Sequence, residues 1–232
     1  MTEFLQGAGV FLVGMLARFG LLALGIAAVV VPAILLAVAL RRWEAWREHR
    51  LGIREVAGLP FRPDVAYAPG HVWVRRRGPG ALEVGLDGLA QQLLPGATAI
   101  EPVRPGTRVK QGEVMAVVRS GARELPLLAP AAGTVLGVNV AALRSPGLVK
   151  REGCGRGWLV LFAPADESLS ALPSGAAAEA WLRCEAERFA HFLEERLGFA
   201  AADGGALVAP APWLLGDEGY RELCDTVLRP RN

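Results

Sequence analysis

Seven short runs of β-forming residues follow one another in this chain, with glycine and proline between them: His71–Val74, Leu82–Val84, Ala97–Val103, Val114–Val118, Leu125–Leu128, Thr134–Val140 and Trp158–Phe162. Strands this short and this closely spaced close into a small barrel or a sandwich. That limits the fold more than any other feature of the sequence. One short helix fits among the runs, with Asp87 placed to cap it and Leu89, Ala90, Leu93 and Leu94 forming its apolar face. The stretch before them, Leu51 to Pro69, contains Gly52, Gly58, Pro60, Pro63 and Pro69 and reads as an irregular linker.

A second constraint comes from the N-terminus. Phe19 to Leu40 is 22 residues without a charge, which as a helix spans roughly 33 Å, enough for a bilayer core. The stretch is longer than a signal-peptide core and its basic cluster follows rather than precedes it, so it reads as a retained transmembrane helix. Apolar residues begin near Gly7, interrupted by Arg18, which either snorkels to the interface or pairs with an acidic group on another membrane subunit. Pro32 can bend such a helix without serving a function. Beyond Leu40 come Arg41, Arg42, Trp43, Trp46 and Arg47, a membrane-interface set of arginines and tryptophans. The excess of basic residues on that side predicts a single-pass protein of the cell (inner) membrane with its large C-terminal domain in the cytoplasm.

The remaining composition mainly excludes. A net charge of +2 over 232 residues, concentrated beside the apolar segment, does not suggest a nucleic-acid partner. Arg75-Arg76-Arg77 reads as a solvated hairpin end, with a phosphate or acidic-partner contact as the alternative. Cys154, Cys184 and Cys224 have neither paired spacing nor histidines nearby, which fits reduced thiols and signals no metal site. There is no acid pair, nucleophile elbow or phosphate loop. No catalytic residue, cofactor or small-molecule substrate is therefore predicted, and the chain is expected not to be an enzyme.

Several segments, taken in order, carry a family resemblance: Tyr67-Ala-Pro-Gly-His-Val-Trp-Val74, Val84-Gly-Leu-Asp-Gly-Leu-Ala-Gln91, Val109-Lys-Gln-Gly112, Pro130-Ala-Ala-Gly133, Asn139, Pro146 and Gly155-Arg-Gly-Trp-Leu159. As a set they resemble the H protein of the glycine cleavage system from about Tyr67 to Asp166. The resemblance implies a mainly β fold, a lipoyl-type sandwiched β-barrel (barrel-sandwich hybrid) with C-terminal helices. In the family it also implies a lipoyl arm that shuttles an aminomethyl group between partner enzymes.

The departure falls on the family's functional residue. Where H proteins usually carry a Glu-Ser-Val-Lys-type turn bearing the lipoyl lysine, this chain has Arg119-Ser120-Gly121-Ala122. Ala122 has no amine to form the amide, and the guanidinium groups of Arg119 and Arg123 stay protonated and cannot replace it. The chain's two lysines, Lys110 and Lys150, lie outside the turn and read as solvated surface residues. Freed of an arm, Arg119, Gly121, Ala122, Arg123 and Glu124 form either a partner-docking tip or an unconstrained turn.

Past the barrel, Ser174 to Gly198 reads as an amphipathic helix with Leu182, Ala186, Phe189, Leu193 and Leu197 on one face. Trp181 and Phe192 lie off that stripe, where a partner contact is the alternative to packing. The tail offers a turn at Ala202–Gly205, an extended segment at Ala209–Trp213 and a closing helix that Asp217 caps and that runs through Leu228. It is either a lid on the barrel or a partner-binding arm. The expected organisation is a membrane anchor at 1–40 (core 19–40), a basic juxtamembrane segment and linker at 41–66, the β domain at 67–166 and a helical extension at 167–232. The functional expectation is a membrane-anchored, non-lipoylated accessory or scaffold subunit of a membrane complex, whether respiratory, redox or other, bound to the bilayer and to other protein subunits. The alternative is a component that acts with glycine-cleavage or other lipoate-dependent enzymes.

Overall fold

The computed structural model describes residues 21, 24–43, 52–166, 168–197 and 215–228. Contacts divide the chain into two units, residues 1–50 and 51–232. In the first, helix α1 (Leu24–Trp43) is long and apolar enough to cross a membrane, and none of it is buried. By length and composition it is a candidate membrane span. The helix continues past Leu40, so Arg41, Arg42 and Trp43 are part of it instead of following it. Arg18, Trp46 and Arg47 lie outside the described residues.

The second unit is mainly β. Six strands form one antiparallel sheet in the order β3 (Ala66–Ala68), β4 (Val72–Gly78), β5 (Ala81–Leu86), β11 (Val160–Pro164), β10 (Gly133–Val138) and β7 (Arg108–Val109). A second sheet is formed by β6 (Ala99–Pro102), β8 (Val114–Ser120) and β9 (Arg123–Leu128). Val74, Val84, Val135, Val160 and Phe162 from the first sheet and Val118, Leu125 and Leu127 from the second belong to one buried core. Each of the seven expected runs contains a strand, although the one expected over Thr134–Val140 ends at Val138 and Val140 already begins a helix. The helix among them, α2 (Gly88–Gln92), is capped by Asp87 as expected, and Leu89, Ala90, Leu93 and Leu94 are buried.

The linker reading of Leu51–Pro69 is corrected. β1 (Arg54–Val56) and β2 (Leu59–Phe61) form a hairpin, β3 joins the large sheet, and Val56, Leu59, Phe61 and Val65 are in the core. The folded domain thus begins before Tyr67. Gly58 serves a tight turn rather than irregularity: Ala57 and Gly58 both take left-handed φ values, 50° and 76°, as a type I′ two-residue hairpin loop requires.

Two glycines are needed for close approach. A Cβ on Gly85 would stand 2.7 Å from the Trp73 indole, and one on Gly133 would stand 2.3 Å from the Ala163 carbonyl oxygen. Trp73 is fully buried and donates its indole N–H to the Gly153 carbonyl at 2.9 Å. The short helices α3 (Val140–Arg144) and α4 (Leu148–Arg151) lie between β10 and β11, and Asn139 caps the first of them.

Helix α5 (Gly175–Leu197) buries Ala178, Leu182, Ala186, Phe189 and Leu193, the expected face as far as it is described. Trp181 and Phe192 are half-buried and pack against the same core. Helix α6 (Asp217–Leu228) buries Tyr220, Leu223, Cys224, Val227 and Leu228. Gly216 accepts the Tyr220 amide, which puts Asp217 in the first turn instead of at the cap. Its charge still suits the positive end of the helix dipole. Ala202–Gly205 and Ala209–Trp213 lie outside the described residues.

Candidate functional site

The hairpin β8–β9 closes through a two-residue loop, Gly121–Ala122, between the paired residues Ser120 and Arg123. Gly121 has φ 61°, and a left-handed glycine at the first loop position is the signature of a type II′ turn. Both loop residues are exposed, and the loop contains no amine. Around it the charges are not idle. Arg119 pairs with Glu101 at 2.6 Å and with Glu124 at 2.5 Å. Arg123 donates to the Leu215 carbonyl at 2.8 Å, and its guanidinium lies 4.5 Å from the centroid of the Tyr220 ring. The reading of an unconstrained turn is therefore corrected: the C-terminal segment is latched to the hairpin through the residue next to Ala122. The five tip residues are brought together, with Gly121, Ala122 and Glu124 exposed and Arg123 engaged by the tail.

α6 also packs beside β9, and the Leu228 carbonyl lies near Gly70. Of the two readings of the tail, the described part follows the lid. An Arg123→Ala change removes at least the Leu215 hydrogen bond and the Tyr220 cation–π contact, a loss of about 1–2 kcal/mol. Hydrogen exchange is expected to show α6 amides opening roughly tenfold faster while the β-strands are unchanged. An α6 exchange rate equal to that of the unaltered chain would refute the latch.

A second cluster is buried beneath α5. His71, 1% exposed and at φ 54°, sits between two carboxylates: its Nδ1 is 2.8 Å from Asp87 Oδ2 and its Nε2 is 3.5 Å from Glu185 Oε2. The other oxygen of Asp87 accepts the Ala90 amide at 2.9 Å, so one carboxylate both caps α2 and holds the imidazole. Burial opposes the charge on His71, but Asp87 and then Glu185 outweigh it and push the imidazole up to about 9. Trp181 stacks on the ring at 5.3 Å, and Phe61, Tyr67 and Trp181 continue the ladder. This cluster ties the β domain to α5. It is surrounded by packed side chains.

Three further polar groups are more engaged than expected. Arg75 and Arg77 both pair with Glu83, which is 2% exposed, and they lie over Trp73 and Trp158, so two members of the basic run are pinned and only Arg76 stands apart. Cross-strand pairing of Arg75 with Glu83 was a recoverable signal, since opposite charges on facing hairpin positions attract. Lys150 sends its ammonium to the Gln91 and Leu94 carbonyls at 2.6 and 3.1 Å, and partial burial lowers its pKa. It remains exposed at the surface, as expected, while its ammonium also serves the C-terminal end of α2. Lys110 is exposed, as expected. The cysteines are free thiols; burial, above all, pushes Cys224 up to about 11, which leaves it unreactive at neutral pH.

A mainly β domain of two sheets around one core, displaying the β8–β9 hairpin and followed by helices, is a lipoyl-type domain. The family model described as "Glycine cleavage H-protein" matches residues 65–184. The glycine cleavage system H protein of Shewanella frigidimarina is 36% identical over 105 residues, covering 45% of this chain and 81% of that protein. The corresponding protein of Shewanella oneidensis is 35% identical over the same span. This chain belongs to the glycine cleavage H-protein family. A solved H protein from Mycobacterium marinum, 26% identical, aligns with a TM-score of 0.47 over 53% of this chain and 99% of its own.

Proposed function

We propose that this chain is a non-catalytic, non-lipoylated member of the family that serves as a membrane-anchored accessory or scaffold subunit of a membrane complex. The observation that carries the reading is the β8–β9 loop, which is exposed and well formed but has no amine between Lys110 and Lys150. A carrier that must visit several enzymes gains little from a tether, whereas a structural subunit gains local concentration and fixed orientation. The candidate span α1 supports the anchored part, and the latch of α6 on Arg123 supports a hairpin turned to structural use. Native mass spectrometry of the chain gently extracted from its own membranes tests this. An unmodified mass inside a stoichiometric complex is expected; a mass raised by one lipoyl group, or a bare monomer, overturns it.

Family membership favours a second reading, in which the domain acts with glycine-cleavage or other lipoate-dependent enzymes by binding them without an arm. Labelled-glycine exchange by the decarboxylating partner decides it. Stimulation by this chain would support the second reading, and none would end it.

A further inference from the structure

Among the described residues, Arg62, Arg75, Arg77 and Arg119 are held by Asp64, Glu83, Glu101 and Glu124, whereas Arg76, Arg104, Arg108, Arg144 and Arg151 are exposed and make no ion pair. Arg76 lies apart on β4; the topology gathers Arg104, Arg108 and Arg144. Arg108, on the edge strand β7, is the Cα partner of Thr134 on β10, so the two side chains share the outer face of the sheet. Leu136, two residues along β10, is 45% exposed. The loop before β7 is pinned to the same strand: the Gly106 amide donates to the Val135 carbonyl at 2.7 Å and the Val135 amide to the Thr107 carbonyl at 2.9 Å. The Thr107 amide closes the turn on Arg104. β10 then runs through Asn139 into α3, which presents Val140, 53% exposed, and ends on Arg144; α3 packs beside β6, the strand leading into the Arg104 loop.

The carboxylates on these elements are already engaged, Glu101 by Arg119 and Glu113 by the Lys110 amide. The residues named on this face thus combine three unpaired arginines with two exposed aliphatic side chains, and none of them is aromatic. Protein-binding surfaces concentrate aromatic residues in a central core, while an anionic lipid leaflet asks only for basic groups at headgroup level and small apolar insertions.

We propose that Arg104, Arg108 and Arg144 dock the β domain on an anionic bilayer surface, with Leu136 and Val140 entering the headgroup region. The inference rests on the membrane-anchored reading, since a tether keeps the face at high effective concentration near lipid. The test uses the full chain, Cys184→Ser and Leu136→Cys, with a polarity-sensitive fluorophore at position 136. It is reconstituted in phosphatidylcholine vesicles with and without phosphatidylglycerol. With the anionic lipid, the emission shifts to the blue and is quenched by brominated acyl chains. Replacing the three arginines by glutamine weakens that response roughly tenfold or more, as three basic contacts imply. A probe that stays aqueous in both lipids while the chain floats with the vesicles overturns the proposal. So does a probe shielded from aqueous iodide in native membranes without quenching from the bilayer, which would mark a protein partner. Failure to float with neutral vesicles rejects the anchor instead, and binding to anionic vesicles that depends on the three arginines then still upholds the docking face.

Discussion

Replacing Asp87 by alanine is expected to lower the stability of the β domain by about 4 kcal/mol, a fall in Tm of roughly 10–15 °C for a domain of this size. Two losses combine. The α2 amide of Ala90 loses its cap, worth about 1 kcal/mol, and the buried imidazole of His71 loses its nearer carboxylate and keeps only Glu185 at 3.5 Å. Asn at position 87 preserves the cap acceptor but not the charge, so it should cost about half as much. The pH dependence separates the two effects. His71 is raised from 6.5 to about 9 in the folded state, so its pairing stabilises fully below pH 6.5. That contribution declines as pH rises through the interval and is gone above it. At about 1.4 kcal/mol per pKa unit, the wild-type chain should lose about 3 kcal/mol between pH 6 and pH 9.5. Urea unfolding at the two values checks it. The Asp87→Ala and His71→Phe variants should lose much less, and equal slopes in all three chains would refute a charged His71.

The same cluster shows where sequence reading reaches and where it stops. Asp87 was legible as a cap because the signal is local, an acidic residue directly before an apolar helical face. Its second task was not, because Glu185 and Trp181, which complete the surroundings of His71, come from a helix on the far side of the barrel sequence. The strands from His71 to Phe162 were legible because each has β-branched or apolar residues bounded by turn formers. The β1–β2 hairpin was hidden because Pro60 and Gly58 resemble linker chemistry, and only the burial of Val56, Leu59 and Phe61 identifies the segment as core. Arg62 was equally unforeseeable: it is 5% exposed, with its charge matched by Asp64 and one N–H given to the Cys154 carbonyl, a contact across 92 residues. The latch of Arg123 on Leu215 also spans 92 residues. The sequence could thus indicate an altered hairpin but not what occupies it.

Restoring the amine provides the sharpest functional test. Ala122 is exposed in a loop whose backbone geometry is set by Gly121, so a lysine there meets no packing obstacle and adds a solvated amine at the turn. If loss of the acceptor is the main change in this hairpin, Ala122→Lys should turn a chain that incorporates no lipoate into one modified by a lipoate ligase, with lipoate and ATP, up to one group per chain. Intact mass reads the outcome, and the H protein of Shewanella frigidimarina serves as the positive control. Because α6 is held one residue away, Arg123→Ala in the same chain should speed the modification severalfold, as expected where a nearby lid must open for the ligase to reach the turn. Modification of the unaltered chain would contradict the non-lipoylated reading outright and direct attention to Lys110, since Lys150 is committed to the Gln91 and Leu94 carbonyls. If Ala122→Lys stays unmodified beside a fully modified control, the missing amine is not the main change. The paired charges of Arg119, Glu101 and Glu124 would then be the place to look for lost recognition.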